Sequence, residues 1–352
     1  MTTKNTIESG KTIAVYGATG VTGGHLVTEL RRRDITPILV GRNAERLRAA
    51  AEAAGIPDAE IRLADLDDPH ALIAAFDGAD AVISSLPAYV TLGDAVLAAA
   101  IAAGAHYTDM AGEQVFIQRA FDKYAAAAEK AGVTVVPGIT NSNLPGDLLG
   151  HLTSRLVAGP AEISMSLHNT SIGNGSKGSA RTLLASLDWF ASGGWHYQDG
   201  ELRTGAAARH GEMTFPGDAE PTPVSKFPQP PVLTIPRHSD VSYVEGVLET
   251  AFHSQLGGMT AEIVESLPEE PTPGLTYDLV VDAYGVHGDR VRGVVSGTDA
   301  YRDTALMAVQ AAVALTAGTA EPGVLAPAEA FEPAEFLDAL ADFDITWHID
   351  KQ

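Results

Sequence analysis

"KTIAVYGATGVTGGHLVTEL", residues 11–30, sets a short apolar run against glycine-spaced residues and then a helical period. "TIAVYG" (12–17) reads as a strand, because its apolar residues run on without alternation, as in strands buried on both faces. "VTGGHLVTELRRR" reads as the helix after it. The same unit recurs outward along the chain. "TPILVG" (36–41), "EIRLAD" (60–65), "DAVISSL" (80–86), "AHYTD" (105–109) and "VTVVPG" (133–138) are strand-like. Helical stretches lie over "AERLRAAAEAAG" and near 69–76, 90–103 and 114–131. Regular β–α alternation predicts an α/β fold, a Rossmann-type doubly wound parallel sheet.

Gly17, Gly20 and Gly23 form G-x-x-G-x-x-G between the first strand and its helix. Such spacing lets backbone amides approach a pyrophosphate at a helix N-terminus, where the dipole favours an anion. Thr19, Val21 and Thr22 complete the candidate loop. An NAD site usually carries Asp or Glu at the end of the second strand. Here that strand ends "LVGRN", with Arg42 where a carboxylate would stand. An arginine fork matches a 2′-phosphate in charge and shape, so the expected cofactor is NADP(H). Asp65 and Leu66 follow the third strand, where adenine contacts are expected; Asp65 also reads as a helix N-cap. Ser84, Ser85, Leu86 and Pro87 follow the fourth, where the chain passes beneath a nicotinamide ribose.

The 352 residues carry a formal charge of -22, with 45% hydrophobic and 19% charged residues. Such acidity disfavours nucleic acid and anionic membranes, leaving a small-molecule substrate as the expected partner. With no cysteine, disulfides, thiolate metal sites and cysteine nucleophiles are excluded. The 11 histidines show no HExxH-type spacing, so no metal site is expected. The first residues, "MTTKNTIESGK", lack an apolar core of signal-peptide length, and a cytoplasmic protein is expected.

Beyond about residue 148 the texture changes. "AEISMSLHN" (161–169), "GWHYQDGEL" (194–202) and "TYDLVVDAYGVHGDRVRGVVSG" (276–297) read as longer strands, the last turning at "HGD". Helices are expected over 179–192 and 299–317. Seven of the 20 prolines fall in 216–236, which reads as a surface loop or lid. The domains expected are 1–147, binding NADP, and 148–298, an α+β substrate and dimerisation domain with an antiparallel or mixed sheet. A homodimer is compatible with that second sheet.

The chain resembles the saccharopine dehydrogenase-like oxidoreductases, a group that includes trans-acting enoyl reductases. The resemblance rests on "GATGVTGG" with "LVGRN", on "YTDMAGE" (107–113) and on "VPGITNSNLPGDLLG" (136–150). "GNGSKGSARTLL" (173–184), "GTDAYRDTALMA" (297–308) and "GVLAPAE" (323–329) extend it. It implies an NADP-binding domain, a substrate domain, and a C-terminal segment, 299–352, packed back on the first. Thr140, Asn141 and Ser142 depart from the Phe-Asp-Ser common in the family, beside the expected substrate.

None of the nine tyrosines has a lysine four residues on, so the Tyr-x-x-x-Lys proton donor of short-chain dehydrogenases is absent. A protonated imine is already electrophilic and needs less acid catalysis than a ketone. Candidate substrate contacts are Asp109 and Glu113 after the fifth strand and Asn141 after the sixth. Arg181 and His196 are candidates from the second domain. Asp109 and Glu113 also read as caps of the helix near 114, and Asp147 as a helix cap. Three functions stay open. The leading one is hydride transfer to or from a C=N or C–N bond of a small amino-acid-derived imine or amine. The others are enoyl (C=C) reduction and non-catalytic sensing of NADPH.

Overall fold

Short apolar runs separated by helix-starting residues fold into β–α units, and the computed structural model shows their arrangement. It describes residues 10–171, 175–252, 258–268 and 270–351. In the first half, β1 (Ile13–Tyr16), α1 (Val21–Arg32), β2 (Ile38–Gly41), α2 (Ala44–Ala53), β3 (Ile61–Leu63) and α3 (Pro69–Phe76) follow one another. Next come β4 (Ala81–Ser84), α4 (Tyr89–Ala103), β5 (His106–Asp109), α5 (Gln114–Ala131), β6 (Thr134–Val136) and α6 (Asn143–Ser154). These strands form a parallel sheet in the order β6-β5-β4-β1-β2-β3. A seventh strand, β15 (Gly323–Val324), returns from late in the chain to pair parallel with β6. All four residues of β1 are buried, as its unbroken apolar run demands.

The two faces of this sheet have separate cores. Ile13, Val15 and Ile83 pack with Leu26 and Leu30 of α1 and with a helix from the C-terminal part, Ala300–Thr316. Ala14, Val82 and Tyr107 pack with Leu72, Val96 and Phe116 of α3, α4 and α5. The 300–316 helix lies along α1 and against β4 and β5. Burial of Leu306, Met307, Val309 and Leu315 contributes roughly 1.5–3 kcal/mol each, against the entropy of ordering them. Lys11 Nζ adds a bond to the Thr316 carbonyl at 2.9 Å.

The second sheet is mixed. Its strands are β7 (Ala161–Asn169), β8 (His196–Gln198), β9 (Glu201–Arg203), β10 (Glu212–Met213), β11 (Thr222–Lys226) and β12 (Val241–Glu249). β13 (Tyr277–Tyr284), β14 (Arg290–Gly297) and β16 (Thr346–Lys351) complete it. The order is β10-β11-β12-β7-β13-β14-β16, with the β8–β9 hairpin attached to β12. β12 and β7 run parallel, and the other pairs are antiparallel. One face packs on α6, where Gly146 lets Met165 and Leu279 approach its backbone.

Several sequence expectations need correction here. Residues 194–202 are not one strand but the hairpin β8–β9, because Asp199 and Gly200 both take positive φ at its turn. The helix expected over 179–192 is two, α7 (Lys177–Ala185) and α8 (Leu187–Ala191), separated at Ser186. The proline-rich 216–236 stretch is more than a surface loop. It carries β11 and α9 (Pro231–Thr234), and Val232 and Ile235 are fully buried. Proline at the start of α9 costs no helical bond, so a Pro-rich run still forms ordered structure there. β12 and β16 lie outside every strand read from the sequence. The signal-peptide reading of residues 1–9 and the start of the 173–184 motif lie outside the described residues. Among the described residues no helix is long and apolar enough to cross a membrane.

Candidate functional site

The carboxyl ends of β1, β4, β5 and β6 lie along one edge of the parallel sheet, where Ala88 and Gln114 bond to elements of the second sheet's domain that we call the roof. Gly17 takes φ +93°, and a Cβ there would lie 2.1 Å from the Ser85 carbonyl oxygen. A Cβ on Gly23 would lie 2.1 Å from the Gly17 carbonyl oxygen. Only glycine lets the loop after β1 press against both the β4 loop and its own helix. Gly20 is the N-cap of α1, and no side chain caps that end. The first-turn amides therefore remain directed outward between Thr19, Val21 and Thr22, with the positive end of the dipole behind them.

Arg42 follows β2 directly and is exposed, with no hydrogen bond or ion pair among the described residues. Asn43 beside it caps α2 by accepting from Arg46 N at 3.0 Å. Burial raises the pKa of Tyr16, whose hydroxyl also feels the charges of Asp65 and Arg42, so both lie about this corner of the site. Asp65 is not a helix cap: Asp68 accepts from Ala71 N at 3.0 Å and caps α3. Leu66 is half-buried against the α3–α5 core.

After β4 the backbone is clasped by Tyr89, which is fully buried. Its hydroxyl donates to the Ser84 carbonyl at 2.6 Å and accepts from Leu86 N at 3.0 Å and Met110 N at 3.4 Å. One phenol thus ties the loop after β4 to the loop after β5. Ser85 N donates to the Tyr16 carbonyl at 2.8 Å. Beyond Pro87, Ala88 adopts φ 50°, and its N–H donates to Thr182 Oγ1 of α7 at 3.1 Å. The segment 84–88 therefore links the first sheet to the roof.

Asp109 and Glu113 are both buried, at 0% and 2% exposure. Neither caps α5. Asp109 Oδ1 accepts from Ala111 N at 2.9 Å and Gly138 N at 2.8 Å, joining the loops after β5 and β6. Among the described residues its Oδ2 has no close hydrogen-bond partner, though the Tyr107 hydroxyl lies near enough to favour its charged form. Burial pushes the Asp109 carboxyl up to about 7, against the pull of those two amides. Glu113 occupies the N-cap position of α5, yet its side chain accepts from Gly112 N at 3.0 Å and Val90 N at 3.5 Å. Burial raises its pKa as well. Among the described residues neither carboxyl has a lysine or arginine partner.

Asn141 is buried, and its backbone N–H donates to Thr304 Oγ1 at 3.0 Å, pinning the β6 loop to the 300–316 helix. Its Nδ2 is unpartnered. Asp147 lies inside α6 and is no cap: it holds His238 Nε2 at 3.0 Å and accepts from Ala328 N at 2.8 Å.

Gln114, fully buried at the start of α5, was passed over in the sequence, yet it docks the roof. Its side chain accepts from Trp195 N at 2.9 Å and donates to the carbonyls of Trp195 and Gln229 at 3.2 and 3.0 Å. Tyr301 was also unread, and its hydroxyl accepts from Ser176 N at the start of α7. A buried glutamine beside a strand end is the signal such residues leave. Arg181 of α7 is exposed, its fork held by Glu265 at 3.0 Å. His196 is buried at the start of β8, where its Nδ1 meets Lys226 Nζ. The structure thus brings Asp109 and Glu113 together, ties Asn141 to Thr304, and pairs Arg181 with Glu265 and His196 with Lys226.

Among the described residues no cluster has the makings of a metal site. The uncapped, glycine-cradled start of α1 and the unpaired Arg42 fit a dinucleotide bearing a 2′-phosphate. Comparison with known proteins agrees. Residues 13–136 match the family model of the saccharopine dehydrogenase NADP binding domain. A trans-acting enoyl reductase of Mycobacterium ulcerans is 31% identical over 150 residues, which cover 42% of this chain and 36% of that protein. A lipid droplet localized protein of Caenorhabditis elegans is 30% identical over 146 residues, covering 39% of this chain and 34% of that protein. The chain thus aligns with about a third of the length of these curated relatives. The apo structure of saccharopine dehydrogenase (L-Glu forming) from Saccharomyces cerevisiae superposes with TM-score 0.62 at 13% identity, covering 97% of this chain and all of that one. That likeness extends the shared fold through both sheets.

Proposed function

We propose, from the match of residues 13–136 to the saccharopine dehydrogenase NADP binding domain, an NADP(H)-dependent oxidoreductase acting on carbon–nitrogen bonds. Gly17, Gly20 and Gly23 with the first turn of α1 would hold the pyrophosphate, and Arg42 the 2′-phosphate. Asp65 and Leu66 would flank the adenine, and residues 84–87 would carry the nicotinamide ribose. NADPH, when bound, supplies the hydride; the protein supplies orientation, exclusion of water and charge.

One observation carries the carbon–nitrogen reading. Asp109 and Glu113 are two buried carboxyls without a compensating cation, at the strand end nearest the substrate. Their field favours a cationic iminium over a neutral carbonyl. Asp109, with a pKa of about 7, is about half ionised at neutral pH, so its negative charge is partly present there and grows as pH rises. Both groups are enclosed, so they act on the substrate through this field and through the loops they hold. Asn141 Nδ2, buried and without a partner among the described residues, lies on the loop after β6 and is the group we assign to direct substrate contact. Arg181 and His196 have no part in this reading. A small amino-acid-derived imine or amine is the substrate class, and a cytoplasmic homodimer is the setting proposed for it.

Enoyl reduction is the second reading, favoured by the names of relatives that share the cofactor domain. The test follows NADPH oxidation with mixed 2-oxo acids and aldehydes, with and without ammonia or primary amines. Turnover only when carbonyl and amine are both present supports imine reduction. Turnover of an enoyl thioester, with the carbonyl–amine mixtures silent, overturns it in favour of the second reading.

A further inference from the structure

On the face of the second sheet opposite α6, the side chains are not those of an ordinary solvent face. Lys226 of β11, only 6% exposed, borders an open cavity of about 310 Å³ whose other walls are almost entirely small residues, among them the exposed Ala206 and Gly211. They include Ala191, Gly193, Ala207 and Val224. The Gly193 backbone sits so close that a Cβ there would be 2.7 Å from Lys226 Cβ. Lys226 has no ion-pair partner among the described residues. The nearest acid, Glu245, is fully buried and already accepts from Arg209 N, His210 N and the Tyr243 hydroxyl, each within 2.9 Å. The partner Lys226 does have is His196 Nδ1, itself buried, with the Tyr243 ring beside it.

An amine that is desolvated, near a second cation and hydrogen-bonded to an imidazole rather than a carboxylate has the environment of a lysine nucleophile. We propose that Lys226 is a second small-molecule site, capturing small aliphatic aldehydes as an imine within this cavity. His196 takes the ammonium proton; the free amine attacks the carbonyl carbon, and a C–N bond forms as the π pair moves to oxygen. The proton held by His196 and one proton from the attacking nitrogen pass to that oxygen, water leaves, and the nitrogen lone pair closes C=N as an iminium, with no net oxidation or reduction. Burial, aided by Arg209 and opposed by Glu245, brings the Lys226 amine down to about 8. At pH 7.5 about a quarter of such an amine is neutral, against about one in a thousand for an ordinary lysine. Burial and then Lys226 itself lower the His196 pKa, keeping it an acceptor. The site does not depend on the reaction proposed above and needs no cofactor.

The test incubates the full chain with propanal and sodium cyanoborohydride at pH 7.5 and maps the adduct over its seven lysines by mass spectrometry. The expected result is reductive propylation of Lys226 on the order of tenfold faster than of Lys123, which is 57% exposed. Ala207→Trp fills the cavity wall while keeping Lys226 and His196, and should slow that labelling about as much. Lys226 reacting no faster than Lys123 overturns the proposal, and the wild-type map alone decides it if Ala207→Trp fails to fold. Unchanged labelling of Lys226 in Ala207→Trp also overturns it, since the cavity would then not be the route.

Discussion

Replacing Asp109 with Asn tests the electrostatic account of the site without changing its shape. The carboxyl is fully enclosed, and burial raises it from 3.8 to about 7. The folded state therefore holds the proton more tightly than the unfolded chain, and folding takes up a proton between these values. Stability from this group is complete below about pH 4, declines as pH rises, and is gone above about pH 7. A gap of about three pKa units corresponds to about 4 kcal/mol, an upper figure because relaxation and water entry lessen such penalties. Asn keeps an oxygen for Ala111 N and Gly138 N, and its amide replaces Oδ2. Tyr107, near both Ser84 and Asp109, offers that amide an acceptor. Wild type and variant should thus have similar stability near pH 4, with the variant gaining up to about 4 kcal/mol by pH 8. Urea unfolding at pH 4.5, 6 and 8, compared as midpoints with their slopes, reads this out. A difference that is the same at all three pH values, or a variant less stable at pH 8, would refute the reasoning.

Other consequences are more local. Arg42→Ala should weaken NADPH binding by about 10–100-fold, the worth of one or two charge-assisted bonds, and leave NADH binding nearly unchanged; equal losses by calorimetry would remove Arg42 from the 2′-phosphate. Gly23→Ala drives a Cβ to 2.1 Å from the Gly17 carbonyl and 2.8 Å from Ala18 Cα, so NADPH binding should be lost even where circular dichroism shows a folded chain. Asp147→Asn breaks a buried pair with His238 and should cost about 3–5 kcal/mol at pH 6. Burial lowers the His238 pKa, but Asp147 outweighs it, so the net shift is upward. That pair's contribution is complete below about pH 6.5 and lost as pH rises through the raised value, so the variant's deficit in urea should shrink toward pH 9. A deficit that grows with pH would contradict this assignment.

What was legible in the sequence follows from how far each signal reaches along the chain. β1 to β6 and their helices could be read because each strand is buried on both faces and each helix starts at a local mark. Asp68–Pro69 before α3 is such a mark. The glycine loop was legible for the same reason: Gly17, Gly20 and Gly23 do their work within seven residues. The second sheet resisted. β12 carries Tyr243 and Glu245 on a buried face, and a carboxylate there breaks the apolar pattern that marks a strand. Glu245 is tolerated only because residues 209 and 210, far back in the chain, bring two amides to it.

The same limit governs the candidate site. A carboxylate at a strand end reads identically in sequence whether it faces a substrate or turns inward to backbone amides. Asp109 and Glu113 turn inward, and what decides this is Gly138 and Val90, 29 and 23 residues away. Tyr89 and Gln114 show the converse. Each looks like an ordinary core residue, yet one clasps two loops of the site and the other docks the roof through Trp195 and Gln229. The proposed cofactor half of the site is therefore written in local spacing and the proposed substrate half in contacts between distant segments. Variation in residues such as Gln114, Thr182 and Tyr301 would re-aim the roof without touching the glycine loop. A fold that separates the two in this way can keep its cofactor while its substrate changes.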